Sequence, residues 1–412
     1  MTTVHLNPPN GPVRATIPLA SSKSESNRAL IINALTGFKG EVQNLASARD
    51  TQTMIRLLKS SDETADVLDA GTTMRFLTAY FAATGQQKIL TGIPRMCERP
   101  IGLLVEALRA LGADITYLKN DGYPPLRING FVYSGATRIA IRGDVSSQYI
   151  SALLMIAPTL PTGLTIELTG EIGSRPYIEM TIEQMRHFGA SIETDWTAQT
   201  LTVAPQPYTP TTFAVESDWS GASYWYSVVA LAEEGSELEL LGQKSHSLQG
   251  DSAIAAIMRA LGVESTFTER GVILTKIPAQ SSLTQDYTGC PDLAQTVVVC
   301  AAMKGIPHTL TGIESLKIKE TDRVLALQTE LKKVGAELVE TEPNTRYEVR
   351  PLNPKPQAPS PPSIHTYDDH RMAMAFAPVA MCQPVIIEEP GVVAKSYPSF
   401  WDDFRLVASV EF

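Results

Sequence analysis

The sequence predicts an α/β chain of two similar domains, each of three repeat units. Three observations carry this: one strand–helix–strand cadence recurs along the chain, a second series of apolar helices runs out of phase with it, and 412 residues exceed a single core.

The cadence is a strand ending in Gly, a polar loop, a helix, a small-residue corner and another strand. In chain order it reads "ILTGIPRMCERPIGLLVEALRALGADITYL", "IELTGEIGSRPYIEMTIEQMRHFGASIET", "LELLGQKSHSLQGDSAIAAIMRALGVEST" and "TLTGIESLKIKETDRVLALQTELKKVGAELVE". The opening glycines Gly92, Gly170, Gly242 and Gly312, and the closing ones Gly112, Gly189, Gly262 and Gly335, step by about 70–78 residues. Degenerate copies, "VQNLASARDTQTMIRLLKS" and "IIEEPGVVAKSYPSFWDDFRLV", stand before the first and at the end of the chain, making six.

The second series also has six members, each a polar cluster running into an apolar helix: "SKSESNRALIINAL", "DAGTTMRFLTAYFAA", "SSQYISALLMIAP", "DWSGASYWYSVVALA", "CPDLAQTVVVCAAM" and "DDHRMAMAFAPVAM". Helices apolar on nearly every face, such as "YISALLMIA" and "TVVVCAAM", belong inside a domain. Amphipathic ones of the first series, such as "LLVEALRAL" and "LALQTELKKV", belong outside. Short strands alternating with helices give a βαβ-rich chain. Six units of about 70 residues divide naturally into two cores, with the best boundary near "VESDWSG", residues 215–221. The Pro-rich stretch at 350–365 falls inside the sixth unit and reads as a surface loop.

With 34 basic and 44 acidic residues, the formal charge of −10 argues against general nucleic-acid binding. A basic cleft inside an acidic shell still allows an anionic ligand. No apolar run reaches the roughly 18 residues of a membrane span, and the N-terminus has no signal-like core. Cys97, Cys290, Cys300 and Cys382 show no metal or disulfide spacing. A cytoplasmic protein is expected.

The polar clusters raise a chemical question. Ser24, Ser26, Lys23 and Arg28 crowd the start of one helix, where serines are caps and where unpaired N–H groups also attract anions. If equivalent helices run parallel, their N-termini meet at one end of each domain, and two such ends would line a cationic cleft. Arg99, Arg175, Arg323 and Arg371 suit bidentate recognition of carboxylate or phosphate, and Lys23, Lys319 and Lys395 add point charges. Ser146, Ser147 and Gln148 offer further donors, and Gly71 permits close backbone approach. Each alone is ordinarily a surface charge, a cap or a turn glycine; recurrence at equivalent places sets them apart. Asp292 and Glu320 stand among the cations, each expected to begin a helix, and each is either a helix-dipole partner or a general acid–base group. No P-loop, nucleophile elbow or metal-ligand cluster appears.

Ten motifs in order, "SKSESNRAL", "AGTTMR", "PRMCERPIG", "YPPLRI", "VSSQY", "SRPYIEMT", "PDLAQT", "KETDR", "DDHRMAM" and "AKSYP", resemble the 5-enolpyruvylshikimate-3-phosphate synthase family over nearly the whole chain. The resemblance implies two domains of three βαβαββ units each, with buried helices inside and sheets and amphipathic helices outside, closing on an interdomain cleft. It implies domains of 21–215 and of 1–20 plus 216–412. It implies transfer of the enolpyruvyl group of phosphoenolpyruvate to the 5-hydroxyl of shikimate 3-phosphate, through a tetrahedral intermediate, by a monomer using no metal or organic cofactor. Glyphosate, a mimic of phosphoenolpyruvate, is expected to compete.

By the same resemblance Asp292 is the base at the 5-hydroxyl, Glu320 exchanges the methyl proton, and Lys23 contacts both substrates. Ser24, Arg28, Ser146, Ser147, Ser174, Tyr177 and Lys319 hold shikimate 3-phosphate. Gly71, Arg99, Gln148, Arg323, Arg371 and Lys395 hold phosphoenolpyruvate. Four positions depart from the pattern: Asp69 where Asn is frequent, Cys97 for a basic residue, Ser315 for Asn, and Phe76 where Pro is often seen. The stretch between Asp50 and Asp69 is short, so the first unit is expected to be trimmed. Cys97 also invites comparison with the UDP-N-acetylglucosamine enolpyruvyl transferases, whose loop cysteine is spaced differently from the following Arg-Pro. A binding module that has kept the fold is the remaining alternative.

Overall fold

A computed structural model of the chain describes residues 2–144, 146–352 and 360–412. It divides into two compact units, Met1–Ser21 with Glu216–Phe412, and Ser22–Val215. Each has its own core.

One topology recurs. In the unit Ser22–Val215, strand Thr64–Asp66 leads through helix Gly71–Ala83 to the parallel strand Lys88–Thr91. Helix Gly102–Leu111 follows, and then the antiparallel pair Ala113–Tyr117 and Leu126–Phe131, the latter lying between its partner and Lys88–Thr91. A parallel step needs a crossover, which the helix supplies, whereas the final pair needs only a loop. The same βαβαββ order builds the sheet of Arg138–Arg142, Leu164–Thr169, Ile192–Asp195 and Thr200–Val203. The remaining copy here is reduced to strand Thr212–Ala214 paired with Glu41–Gln43, around helix Lys23–Leu35. Helix Arg49–Lys59 then runs on to Thr64–Asp66 with no strand pair between them, so the first unit is trimmed as its short sequence implied.

The other unit carries three four-stranded sheets of the same order. One consists of Leu283–Asp286, His308–Thr311, Arg346–Pro351 and Ala336–Glu342. In another, the first strand is Arg14–Ile17 and its crossover helix is Trp219–Leu231, so the repeat is completed across the whole of the unit Ser22–Val215. The last is closed by the N-terminus: Thr3–Asn7 inserts between Val385–Glu388 and Ser409–Glu411. Of the Pro-rich stretch 350–365, residues 353–359 lie outside the described residues.

Helix character follows composition. In Ser147–Ile156 every residue but Gln148 is buried, and Trp219–Leu231 buries Trp219, Trp225 and Tyr226 fully. Helix Gly102–Leu111 buries Leu104, Val105, Leu108 and Leu111 on one stripe and ends at Gly112, whose φ of +110° suits glycine. A Cβ there would collide with the Val132 carbonyl. Truncating a fully buried leucine such as Leu108 costs about 2–5 kcal/mol. Among the described residues no helix is long and apolar enough to cross a membrane.

Candidate active site

The three central helices of each unit start near one another, and many of the singled-out side chains lie at or beside those starts. In the unit Ser22–Val215, Ser22 caps helix Lys23–Leu35 by accepting the Glu25 N–H at 3.4 Å. Lys23 Nζ donates to Asp50 Oδ2 at 3.0 Å, and Thr73 Oγ1 of the next central helix donates to the Asp50 carbonyl at 3.3 Å. Gln148, at the start of the third, reaches Thr72 Oγ1 at 3.1 Å. All three N-terminal partial charges therefore face a common region of this unit.

Gly71 opens the middle helix with Arg75 and Arg99 against it. A Cβ at Gly71 would stand 2.7 Å from Arg99 Nη1 and 2.8 Å from Arg75 Nη1. Arg75 is anchored to the carbonyls of Gly71 at 3.0 Å and Pro100 at 3.1 Å. Ser146 caps the third helix, accepting the Gln148 N–H at 3.3 Å, with Ser147 buried next to it. Ser174 has φ +52° at the entry of helix Arg175–His187, and Tyr177 lies one turn on, its ring 5.9 Å from the Arg28 guanidinium.

The other unit holds a denser charge cluster. Asp292 sits in the turn Pro291–Leu293 that opens helix Ala294–Lys304. Its Oδ1 accepts from Arg323 Nη1 at 3.0 Å and its Oδ2 from Arg371 Nη2 at 2.8 Å, with Lys319 Nζ 4.0 Å away. Burial pushes the Asp292 carboxyl up, but Arg371, then Lys319 and Arg323, outweigh it and hold the group well below the usual carboxylate range. Glu320 accepts from Arg323 Nη2 at 3.0 Å and has Lys395 Nζ at 3.7 Å. Arg323, only 2% exposed, is clamped from behind by Asp369, Nε to Oδ2 at 2.6 Å. Burial opposes its charge, and Asp369, Glu320 and Asp292 more than restore it, so its proton is held more tightly than usual.

Arg371 links the three helix starts of this unit. It follows the cap Asp369 of helix His370–Phe376, donates to Asp292, and donates to Ser220 Oγ at 3.3 Å and Tyr224 Oη at 3.4 Å on helix Trp219–Leu231. Burial pushes Tyr224 up to about 12, so the phenol stays neutral beside the cation.

The family profile of EPSP synthase (3-phosphoshikimate 1-carboxyvinyltransferase) matches residues 8–66 and 60–404. The chain belongs to the EPSP synthase family. A 3-phosphoshikimate 1-carboxyvinyltransferase of Bacteroides fragilis is 50% identical over 396 residues, covering 95% of each chain. One from Cellvibrio japonicus is 38% identical over 429 aligned positions, covering 97% of this chain and 98% of the relative. The solved structure of EPSP synthase from Acinetobacter baumannii matches with a TM-score of 0.77 over all of both chains at 20% identity, a likeness of fold.

Against the expectations for an EPSP synthase, the structure gathers Lys23, Gly71, Arg99, Ser146, Ser147 and Gln148 in one unit, and Asp292, Lys319, Glu320, Arg323, Arg371 and Lys395 in the other. Two of the expected positions differ in detail. Glu320 does not open a helix: Asp322 takes the cap of Arg323–Glu330, accepting the Leu325 N–H at 3.0 Å, and this leaves Glu320 to the charge cluster. Arg175, one of the recurring arginines, pairs with Glu179 at 2.8 Å and stacks 4.1 Å over Trp196, at the surface.

Arg28 is more buried than its motif suggested. Its guanidinium donates to Thr181 Oγ1 at 2.7 Å and to the Ser24 carbonyl at 2.9 Å, and burial above all lowers its pKa to about 10. The Ser24 backbone, rather than its hydroxyl, thus engages Arg28. Among the departures, Asp69 pairs with Arg49 at 2.9 Å, so its negative charge is answered locally. Sequence reasoning missed Asp50, Asp369, Ser220 and Tyr224 as partners. Asp369 stood in the quoted "DDHR" and Asp50 in a degenerate repeat copy, but neither carried a signal of what it would touch.

Proposed function

We propose that this chain transfers the enolpyruvyl group of phosphoenolpyruvate to the 5-hydroxyl of shikimate 3-phosphate, releasing phosphate. The observation that carries the reading is 50% identity to a 3-phosphoshikimate 1-carboxyvinyltransferase across 95% of both chains. The polar residues named above supply the chemistry the transfer needs.

In that reading the 5-hydroxyl oxygen bonds to C2 of phosphoenolpyruvate while C3 gains a proton, giving a tetrahedral intermediate. Loss of a methyl proton and departure of phosphate restore the double bond. Asp292 takes the hydroxyl proton, Glu320 gives and removes the methyl proton, and Lys23 balances developing negative charge. Ser24, Arg28, Ser146, Ser147, Ser174, Tyr177 and Lys319 serve shikimate 3-phosphate. Gly71, Arg99, Gln148, Arg323, Arg371 and Lys395 serve phosphoenolpyruvate.

Electrostatics support the pairing of roles. Asp292 pairs with Arg371 and Arg323, and those cations make it a poor base. An arriving phosphoenolpyruvate competes for those same cations. Asp292 is then less stabilised as a carboxylate and becomes more basic when the hydroxyl must be deprotonated. The protein is read as a cytoplasmic monomer acting on two small molecules, with no nucleic-acid or membrane partner and no metal or organic cofactor.

The test is phosphate release with phosphoenolpyruvate plus shikimate 3-phosphate, beside phosphoenolpyruvate plus UDP-N-acetylglucosamine, with products identified by mass. Turnover in the first mixture alone is expected. Silence there from folded protein would sink the reading.

A further inference from the structure

Arg371 is held from one side by Asp292 and from the other by Ser220, and Ser220 is itself held. Its hydroxyl donates to Asp251 Oδ2, while its oxygen accepts from Arg371 Nη2 at 3.3 Å. A hydroxyl has one proton. With that proton committed to Asp251, the Ser220 lone pairs are left facing the guanidinium. Asp251 lies in the turn Gly250–Ala253, just before helix Ile254–Ala260, and is 3% exposed. A carboxylate so buried is costly unless it is hydrogen-bonded or paired, and the Ser220 hydroxyl and the Arg371 charge supply this.

We infer that Asp251 is a positioning residue for phosphoenolpyruvate: through the Ser220 hydroxyl it fixes the direction in which Arg371 presents its guanidinium. The chain Asp251–Ser220–Arg371–Asp292 crosses the starts of the three central helices in this unit, so Asp251 acts on Arg371 without touching substrate. Its carboxyl senses the same partners. Burial first, then the Asp292 charge, pushes it up to about 6, while Arg371 and the Ser220 hydrogen bond pull it down. The inference rests on the reading of Arg371 as a phosphoenolpyruvate ligand.

The experiment is steady-state kinetics of the full chain and of Ser220→Ala, Asp251→Ala, the double variant and Asp251→Asn, with both substrate constants measured. Ser220→Ala and Asp251→Ala are each expected to raise KM for phosphoenolpyruvate about tenfold, the size of one hydrogen bond to a charged group. Turnover and KM for shikimate 3-phosphate stay within about twofold, because neither residue meets that substrate. The double variant is expected to be no worse than the poorer single one, since both break the same chain. Asp251→Asn, whose amide oxygen still accepts the hydroxyl proton, recovers most of the loss. Should Asp251→Ala fail to fold, Ser220→Ala and Asp251→Asn carry the comparison.

An unchanged KM for phosphoenolpyruvate in folded Ser220→Ala overturns the relay. So does an additive double variant, or equal rises in both substrate constants. A parent enzyme that turns over while the variants match it defeats the relay alone; a parent without turnover defeats the functional reading as well.

Discussion

A carboxylate ringed by cations is held as a weak base until an anion competes for those cations. Asp292, bonded to Arg323 and Arg371, is in that condition. Replacing it with Asn is expected to lower kcat by about 10²–10⁴ without raising KM for phosphoenolpyruvate, because Arg371 loses a competitor. Near-normal turnover would remove Asp292 from the mechanism. The same pair sets a pH dependence. The folded carboxyl lies below the unfolded value of about 3.9, so its stabilisation is complete above that pH and fades as pH falls toward the folded value. Asp292→Asn should therefore cost stability at neutral pH and progressively less below about pH 4, read as paired denaturant midpoints. Arg371→Ala removes one side of a buried charge pair and is expected to cost about 2–5 kcal/mol in kcat/KM for phosphoenolpyruvate. An unaltered kcat/KM would place the anion elsewhere. The residue types at these positions were readable from motifs, but Asp369 behind Arg323 was not, because a buried clamp shows only when its partner's position is known.

At the scale of elements, helix starts suit an anionic ligand because they combine unpaired N–H groups with a short path to neighbouring helices. Gly71 shows how tightly such a start is built. Its would-be Cβ meets Arg99 at 2.7 Å and Arg75 at 2.8 Å, and Arg75 cannot retreat without giving up the Gly71 and Pro100 carbonyls. Gly71→Ala should displace Arg99, raise KM for phosphoenolpyruvate by about tenfold and weaken glyphosate inhibition, with some loss of thermal stability where Arg75 must give way. Inhibition and KM both indifferent to the added methyl would show Arg99 to be uninvolved. The apolar runs "YISALLMIA" and "TVVVCAAM" were legible as buried helices since no face could tolerate water. Glu320 was misplaced onto a helix because "KETDR" contains two acids fit to cap, and only backbone geometry shows that Asp322 does so.

For the whole molecule, repetition reaches across the chain ends. Thr3–Asn7 supplies the strand that lies between Val385–Glu388 and Ser409–Glu411, so the sixth repeat is complete only when the N-terminus returns to it. Removing residues 1–8 takes an inner strand from that sheet and the buried Val4 and Leu6 from its core. Amide exchange is expected to quicken sharply in 363–411 and to stay slow in the core helices of 22–215, which have a separate core. Uniform protection across both would show that this strand is dispensable. The sequence by itself determined the six-fold cadence, the glycine corners, the buried and amphipathic helices and the residue types at the helix starts, since all of these depend on spacing along the backbone. Tertiary structure alone decided that Arg14–Ile17 pairs with Glu237–Leu241, that Thr3–Asn7 completes the last sheet, and that Asp251 reaches Arg371 through Ser220. A strand's alternation says which face is apolar but not which distant strand it joins, and a charge declares its sign but not its partner.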